Sequence, residues 1–242
     1  GLGVLMVHGF LASPAEMKGL AEKVAGAGHP VMGVRLKGHG TSPWDLRDRE
    51  WEEWLASLRA GYRILQAHAE RICLVGFSAG GALCLLLGAE TLAGLAGIAA
   101  ISTPLKFRDK NMMFVPLIDG VNRLTRWASS SEGVKPFLDS NTEHPHINYQ
   151  SMPLHGLQEL RLLVSRMEDE LPEITVPVCV IQGSNDPVVD PESAVLIMEK
   201  LDRAPKILHM IEAANHGIVA DDVGDTHERL LDFLTGLSGE GS

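Results

Sequence analysis

The sequence predicts an α/β fold: a mostly parallel central sheet with helices on both faces. Three observations predict it. The short runs Val4-Leu5-Met6-Val7, Arg71-Ile72-Cys73-Leu74-Val75 and Val178-Cys179-Val180-Ile181 are apolar without the polar alternation of a one-sided strand, so they suit strands covered on both faces. Segments with helical spacing separate these runs, and short joins connect them, as crossovers between parallel strands require. At 242 residues the chain also suits a single domain of this class, with enough core to stand without disulfides.

In order along the chain, the first strand ends in His8-Gly9-Phe10-Leu11-Ala12-Ser13-Pro14. Ser13, Pro14 and Glu16 read as the cap and first turn of a helix that passes Leu20, Val24 and Ala25 and ends at Gly28. A strand over 30–36 leads into Lys37-Gly38-His39-Gly40-Thr41-Ser42-Pro43, which lacks the GxxxxGK[ST] pattern of a phosphate cradle and reads as a solvated loop. Over 48–68, Trp51, Trp54, Leu55, Leu58, Tyr62 and Leu65 recur at helical spacing, which puts the aromatics on a buried stripe. The strand from Arg71 runs into Gly76-Phe77-Ser78-Ala79-Gly80-Gly81 and then an Ala- and Leu-rich helix to Gly88. Another strand over 95–101 closes at Ser102-Thr103-Pro104.

There the alternation breaks. Residues 104–172 are too many for a simple connection, and they read as a small inserted cap of helices, the most regular over 154–167. The core is then 1–103 together with 173–242. Within the insertion, Asn141-Thr142-Glu143-His144-Pro145-His146 reads as solvated loop rather than a metal site, because its histidines flank a proline without partners at ligand spacing. After the strand at Val178 comes Gln182-Gly183-Ser184-Asn185-Asp186-Pro187-Val188-Val189, then a helix over 191–201, a strand over 206–211, the loop Asn215-His216-Gly217 and a closing helix over 223–237.

Bulk properties narrow the partners. A formal net charge of −10 argues against nucleic acid, whose phosphates need a basic surface, and lends no attraction towards anionic membranes. Cys73, Cys84 and Cys179 are odd in number and sit inside apolar elements, which points to buried packing and a reducing compartment. No basic segment precedes an apolar one, and no apolar run is long enough for a bilayer, so the expectation is a cytoplasmic protein, monomer or homodimer, without integral membrane association. The chain opens on Gly1 and enters a central strand at once, so the natural beginning and the edge strands of the sheet are expected upstream.

The chemistry gathers at the strand ends. Gly76, Gly80 and Gly81 allow a turn tight enough to hold Ser78 out at the end of its strand, with a helix N-terminus behind it. A serine hydroxyl needs a histidine to take its proton, and that imidazole needs a carboxylate on its other nitrogen to fix its tautomer. In a parallel sheet Asp186 and His216 would reach the same rim. Asp186 beside Pro187 equally suits an Asx turn, and His8 suits a hydrogen bond that fixes its loop better than it suits chemistry. His29, His39, Asp190, Asp221 and Asp222 are rivals placed less well for the Ser, Asp, His order.

These motifs together resemble the α/β-hydrolase superfamily, and within it the bacterial carboxylesterases and monoacylglycerol lipases. The resemblance covers nearly the whole chain and is weakest in the insertion. It implies Ser78 as nucleophile, His216 as general base and then acid, Asp186 as the orienting carboxylate, and the backbone N–H groups of Phe10 and Ala79 as oxyanion donors. The expected substrate is a small-molecule ester or lipid: a short or medium acyl ester, or a monoacylglycerol. Hydrolysis would pass through an acyl-serine with no metal and no cofactor. Leu11, Phe77, Val188 and Ile218 are expected at the substrate, and Met112, Met113 and Phe114 with them in an acyl pocket. A thioesterase or acyltransferase shares this chemistry, and a non-catalytic ligand-binding protein shares the fold.

Overall fold

Strand β1 (Leu2–Val7) is buried along its whole length because its alternate residues serve different faces. Leu5 and Val7 join one apolar cluster, and Leu2, Val4 and Met6 join the other. That double burial explains the unbroken apolar run in the sequence. The structure is a computed structural model and describes residues 1–129, 131–140 and 142–239.

A 3-10 turn at Pro14–Met17 precedes α1 (Lys18–Gly26), followed by β2 (Val31–Val34), α2 (Pro43–Arg47), α3 (Trp51–Gln66), β3 (Arg71–Phe77), α4 (Ala79–Gly88) and β4 (Leu95–Ile101). The long excursion holds α5 (Val115–Ala128), the antiparallel pair β5 (Phe137–Asp139) and β6 (Ser151–Pro153), and α6 (Leu154–Glu170). The chain returns as β7 (Val178–Gly183), α7 (Glu192–Lys200), β8 (Lys206–Ile211) and α8 (Thr226–Gly239).

The main sheet has six strands in the order β2-β1-β3-β4-β7-β8, each pair parallel. Helices α1 and α8 cover one face, while α3, α4, α6 and α7 cover the other. The helices that follow β1 and β3 therefore lie on opposite faces although the strands are neighbours. Their exit loops diverge, and a crevice opens at the carboxyl ends of those two strands.

Close backbone approach fixes how α4 sits in that crevice. A Cβ on Gly76 would lie 2.2 Å from the Gly80 carbonyl oxygen, and one on Gly80 would lie 2.3 Å from that of Val7. Only hydrogen side chains let the helix start against both strands.

Several elements differ from the sequence reading. Residues 43–47, between the expected loop and helix, form α2: Ser42 accepts the Asp45 N–H at 3.1 Å and Pro43 opens the turn. The Ser13 side chain makes no cap hydrogen bond, and Glu16, expected in the first turn of the helix, is buried on the 3-10 turn before it. Helix α5 inverts the usual pattern. Asp119 and Asn122 face inward, while Leu117, Leu124 and Trp127 are exposed, Trp127 to 86%. Inside, Asp119 meets His155 of α6 at 3.1 Å, and Asn122 accepts the Val134 and Lys135 N–H groups, so side-chain hydrogen bonds hold this helix where packing does not. By contrast α6 buries Leu157, Leu160, Leu163, Val164 and Met167 in the cluster that also holds α4. Among the described residues no helix is long and apolar enough to cross a membrane.

Candidate active site

Ser78 follows the last residue of β3 and precedes the first of α4, with φ 53° and ψ −118°. A non-glycine residue enters that region only where its surroundings over-determine it, at a cost of about 1–3 kcal/mol. Here the Ser78 N–H donates to the Ile101 carbonyl at 2.8 Å, tying the turn to β4, and Gly81 and Ala82 donate back to the Ser78 carbonyl. The hydroxyl is left standing at the rim.

His216, in the loop after β8, brings its Nε2 to 3.1 Å from Ser78 Oγ and its Nδ1 to 2.7 Å from Asp186 Oδ2. A carboxylate only accepts, so the proton sits on Nδ1 and Nε2 is free to receive the serine proton. Asp186 is fully buried in the loop after β7. Its Oδ1 accepts the Val188 and Val189 N–H groups at 2.8 and 2.9 Å, while Oδ2 takes His216 and, at 3.3 Å, Gln182 Nε2. The Asx turn and the partnership with histidine are therefore not rivals; each oxygen serves one of them.

The loop after β1 faces this row. His8 Nε2 accepts the Leu36 N–H at 3.2 Å, which puts the proton on Nδ1, and Nδ1 donates to the Gly9 carbonyl at 2.8 Å. That carbonyl and the Phe10 N–H belong to one peptide and point in opposite directions. Fixing the first therefore aims the second. The Ala79 N–H opens α4 and has no carbonyl one turn earlier. His39 is fully buried beside His8, Phe10 and Trp54, so its loop is not the solvated one expected. Burial lowers the pKa of His8 to about 4 and that of His39 to about 3, which keeps both rings neutral.

Two carboxylates escaped the sequence reading. Glu16 Oε2 accepts the Gly9 N–H at 2.7 Å, and burial pushes its pKa up to about 7. The signal present in the sequence, an acid two residues after a proline, is also what any helix start shows. Glu143 comes from the insertion and accepts the N–H groups of His216 at 3.0 Å and Gly217 at 2.9 Å. Next to it His144 lies 3.2 Å from Asp221. This part of the polar run spans from insertion to core, which corrects its reading as free loop.

A cavity of about 500 Å³ opens over Ser78. Phe10, Leu11, Phe77, Met112 and Val188 contribute to its wall, and so do the polar Asp139, Ser140, Thr142, Glu143 and Asn148. Ile218 is not in the wall: it is fully buried in the cluster with Val4 and Met6, which corrects its place at the substrate. Met113 and Phe114 are likewise outside it, 67% and 52% exposed. Among the rivals, His29 contacts the Leu2 carbonyl at the far end of β1, and Asp190 accepts the Glu192 N–H as a turn former. The three cysteines are free and buried, and burial pushes their thiols up, so they suit packing rather than chemistry. Among the described residues no three His, Cys, Asp or Glu side chains are grouped to hold a metal ion.

Fold and site together define a hydrolase of the α/β-hydrolase class. The chain belongs to the family described as Serine aminopeptidase, S33 (Hydrolase_4), whose profile matches residues 3–222. It is 30% identical to the thermostable monoacylglycerol lipase of Bacillus sp. (strain H-257), over 98% of this chain and 92% of that protein. To the carboxylesterase of Bacillus subtilis (strain 168) it is 26% identical, over 97% and 92% of the two chains. A solved metagenome-derived lipolytic enzyme superposes with a TM-score of 0.85 at 26% identity, covering 97% of this chain and 94% of its own. The family name speaks of peptides, whereas these relatives are named for esters. The chain is an ester-hydrolysing member of the class, in line with the resemblance carried by its motifs.

Proposed function

We propose that Ser78, His216 and Asp186 carry an acyl-transfer mechanism on a carboxylic ester with a medium acyl chain or a monoacylglycerol. The observation that carries this reading is the hydrogen-bonded row from Asp186 through His216 to Ser78 at the floor of the cavity. Ser78 Oγ attacks the ester carbonyl as His216 Nε2 takes its proton. The carbonyl oxygen becomes an oxyanion that the Phe10 and Ala79 N–H groups receive. Collapse expels the alcohol, which takes the proton from His216, and leaves an acyl-serine. Water then gives its proton to His216 and attacks the acyl carbon; the acid leaves and Ser78 recovers its proton.

The cavity supports the substrate class. A volume of about 500 Å³ falls in the range of drug-sized ligands, roughly 300–1,000 Å³. Its wall combines hydrocarbon, suited to an acyl chain, with Asp139, Ser140, Thr142 and Asn148, suited to an alcohol with further hydroxyls. The test is a chain-length series of p-nitrophenyl esters with a glyceryl monoester of matched length, alongside acyl-CoA. Ser78→Ala is expected to lower ester turnover by about 10⁴-fold or more with an unchanged unfolding midpoint. Turnover near the wild-type rate in that variant overturns the reading.

A further inference from the structure

We infer that Glu16 is a positioning residue for the oxyanion-binding loop: its carboxylate holds the Gly9 N–H and so sets the direction of the Phe10 N–H. The inference rests on the acyl-transfer reading above and deepens it. Two consecutive peptides are gripped here from separate elements. The N–H of the peptide entering Gly9 goes to Glu16 on the 3-10 turn, and the carbonyl of the peptide leaving Gly9 goes to His8 Nδ1. With both held, rotation of Gly9, the one residue of the loop free of side-chain restraint, is blocked. The loop needs such holding, since Leu11 sits at φ 69° in the left-handed region; the Ala12 N–H donates to the Gly9 carbonyl and the Tyr149 N–H to that of Leu11.

The carboxylate is an unusual choice for such a grip. Glu16 is only 5% exposed, borders the cavity, and accepts one hydrogen bond, from Gly9. Burial raises its pKa to about 7, and a protonated carboxyl still offers its carbonyl oxygen to an N–H donor. Charged and titratable groups stand around it. His216 faces it from the loop after β8. His8 faces the Gly9 peptide from the end of β1, held neutral by burial. Past β2, Arg35 donates to the His39 carbonyl, and on α1 Lys18 and Lys23 are occupied by Glu22 and Asp222. The acceptor role of Glu16 therefore holds in either protonation state, which is why an amide can stand in for it.

The experiment compares Glu16→Gln, which keeps an acceptor, with Glu16→Leu, which does not. Readouts are kcat and KM on a short soluble ester and the inhibition constant of an alkylboronic acid that forms a tetrahedral adduct on Ser78. In Glu16→Leu, kcat is expected to fall and the boronate constant to rise by roughly tenfold or more, with KM changed far less; deleting an oxyanion donor outright costs about 100–1,000-fold. Glu16→Gln is expected to recover most of both. If Glu16→Leu does not fold, Glu16→Met, which likewise offers no strong acceptor, is read in the same way: kcat and boronate constants equal to wild type overturn the inference. Equal kcat and boronate constants in wild type and Glu16→Leu overturn it as well, as does equal impairment of the two variants. Fluorophosphonate labelling separates the layers. A wild type that does not label at Ser78 overturns the acyl-transfer reading and this inference together, whereas a labelled wild type with an equally fast Glu16→Leu overturns this inference alone.

Discussion

Three buried titratable side chains around one loop make its stability depend on pH in opposite senses. His8 and His39 are held neutral, with pKa values lowered by burial from 6.5 to about 4 and about 3. The unfolded chain then binds more protons than the native one below pH 6.5, so stability is full above that pH and is lost as pH falls through it. Glu16 runs the other way: its pKa is raised by burial from 4.5 to about 7, so the native state keeps a proton that the unfolded state gives up, and stability drops as pH rises through that window. Denaturant unfolding of wild type and Glu16→Gln at pH 4.5 and pH 8 should show the variant gaining relative to wild type at the higher pH, by at most on the order of 3 kcal/mol. A difference independent of pH would mean that Glu16 does not titrate in that range. Of these residues the sequence displayed only the ones with a motif around them. Ser78, Asp186 and His216 stand at strand ends between glycines and prolines, which mark turns. Glu16, Glu143 and Ile218 carry no such mark, because the direction of a side chain within a loop is set by contacts with distant residues.

At the level of elements, periodicity located the strands and long helices because each has one or two apolar faces to bury, and β1, α3 and α4 are the clearest cases. It failed where packing is not what holds the element. Helix α5 buries Val115 and part of Ile118 but leaves Leu117, Val121, Leu124 and Trp127 outside, and Asp119 and Asn122 make its inner hydrogen bonds. Short α2 depends on a cap rather than a stripe. The polar stretch around Glu143 looked like solvated loop for the same reason: it meets the core through backbone donors, not hydrocarbon. That contact links the insertion to His216. Glu143→Ala removes the acceptor from two N–H groups of the histidine loop, and on a short soluble ester it should lower kcat by about three- to tenfold, the scale of hydrogen bonds to a partly exposed charged group. A rate equal to wild type would show that the loop holds His216 in place unaided.

Across the whole molecule, strand order does most to place the chemistry. The reversal between β1 and β3 sends their helices to opposite faces, and only at that point can the Phe10 loop and the Ser78 turn meet over open space. The rest of the sheet brings Asp186 and His216 to the same rim from β7 and β8. The sequence conveyed this as alternation of strand and helix, but not as strand order. The excursion leaves from the carboxyl end of β4 and returns to the amino end of its parallel neighbour β7, Ile98 beside Val178, so α6 serves as the crossover along the sheet. Residues spliced in before that crossover cost the fold little, since closure entropy grows only with the logarithm of loop length. Helix α6 anchors the return in the cluster that also holds α4, and the stretch from Pro104 to Pro153 stands before it. Grafting that stretch from a relative with a different chain-length preference should transfer the preference measured on the ester series and leave turnover of an acetyl ester within a few-fold. A protein built this way can change its diet without relearning its chemistry.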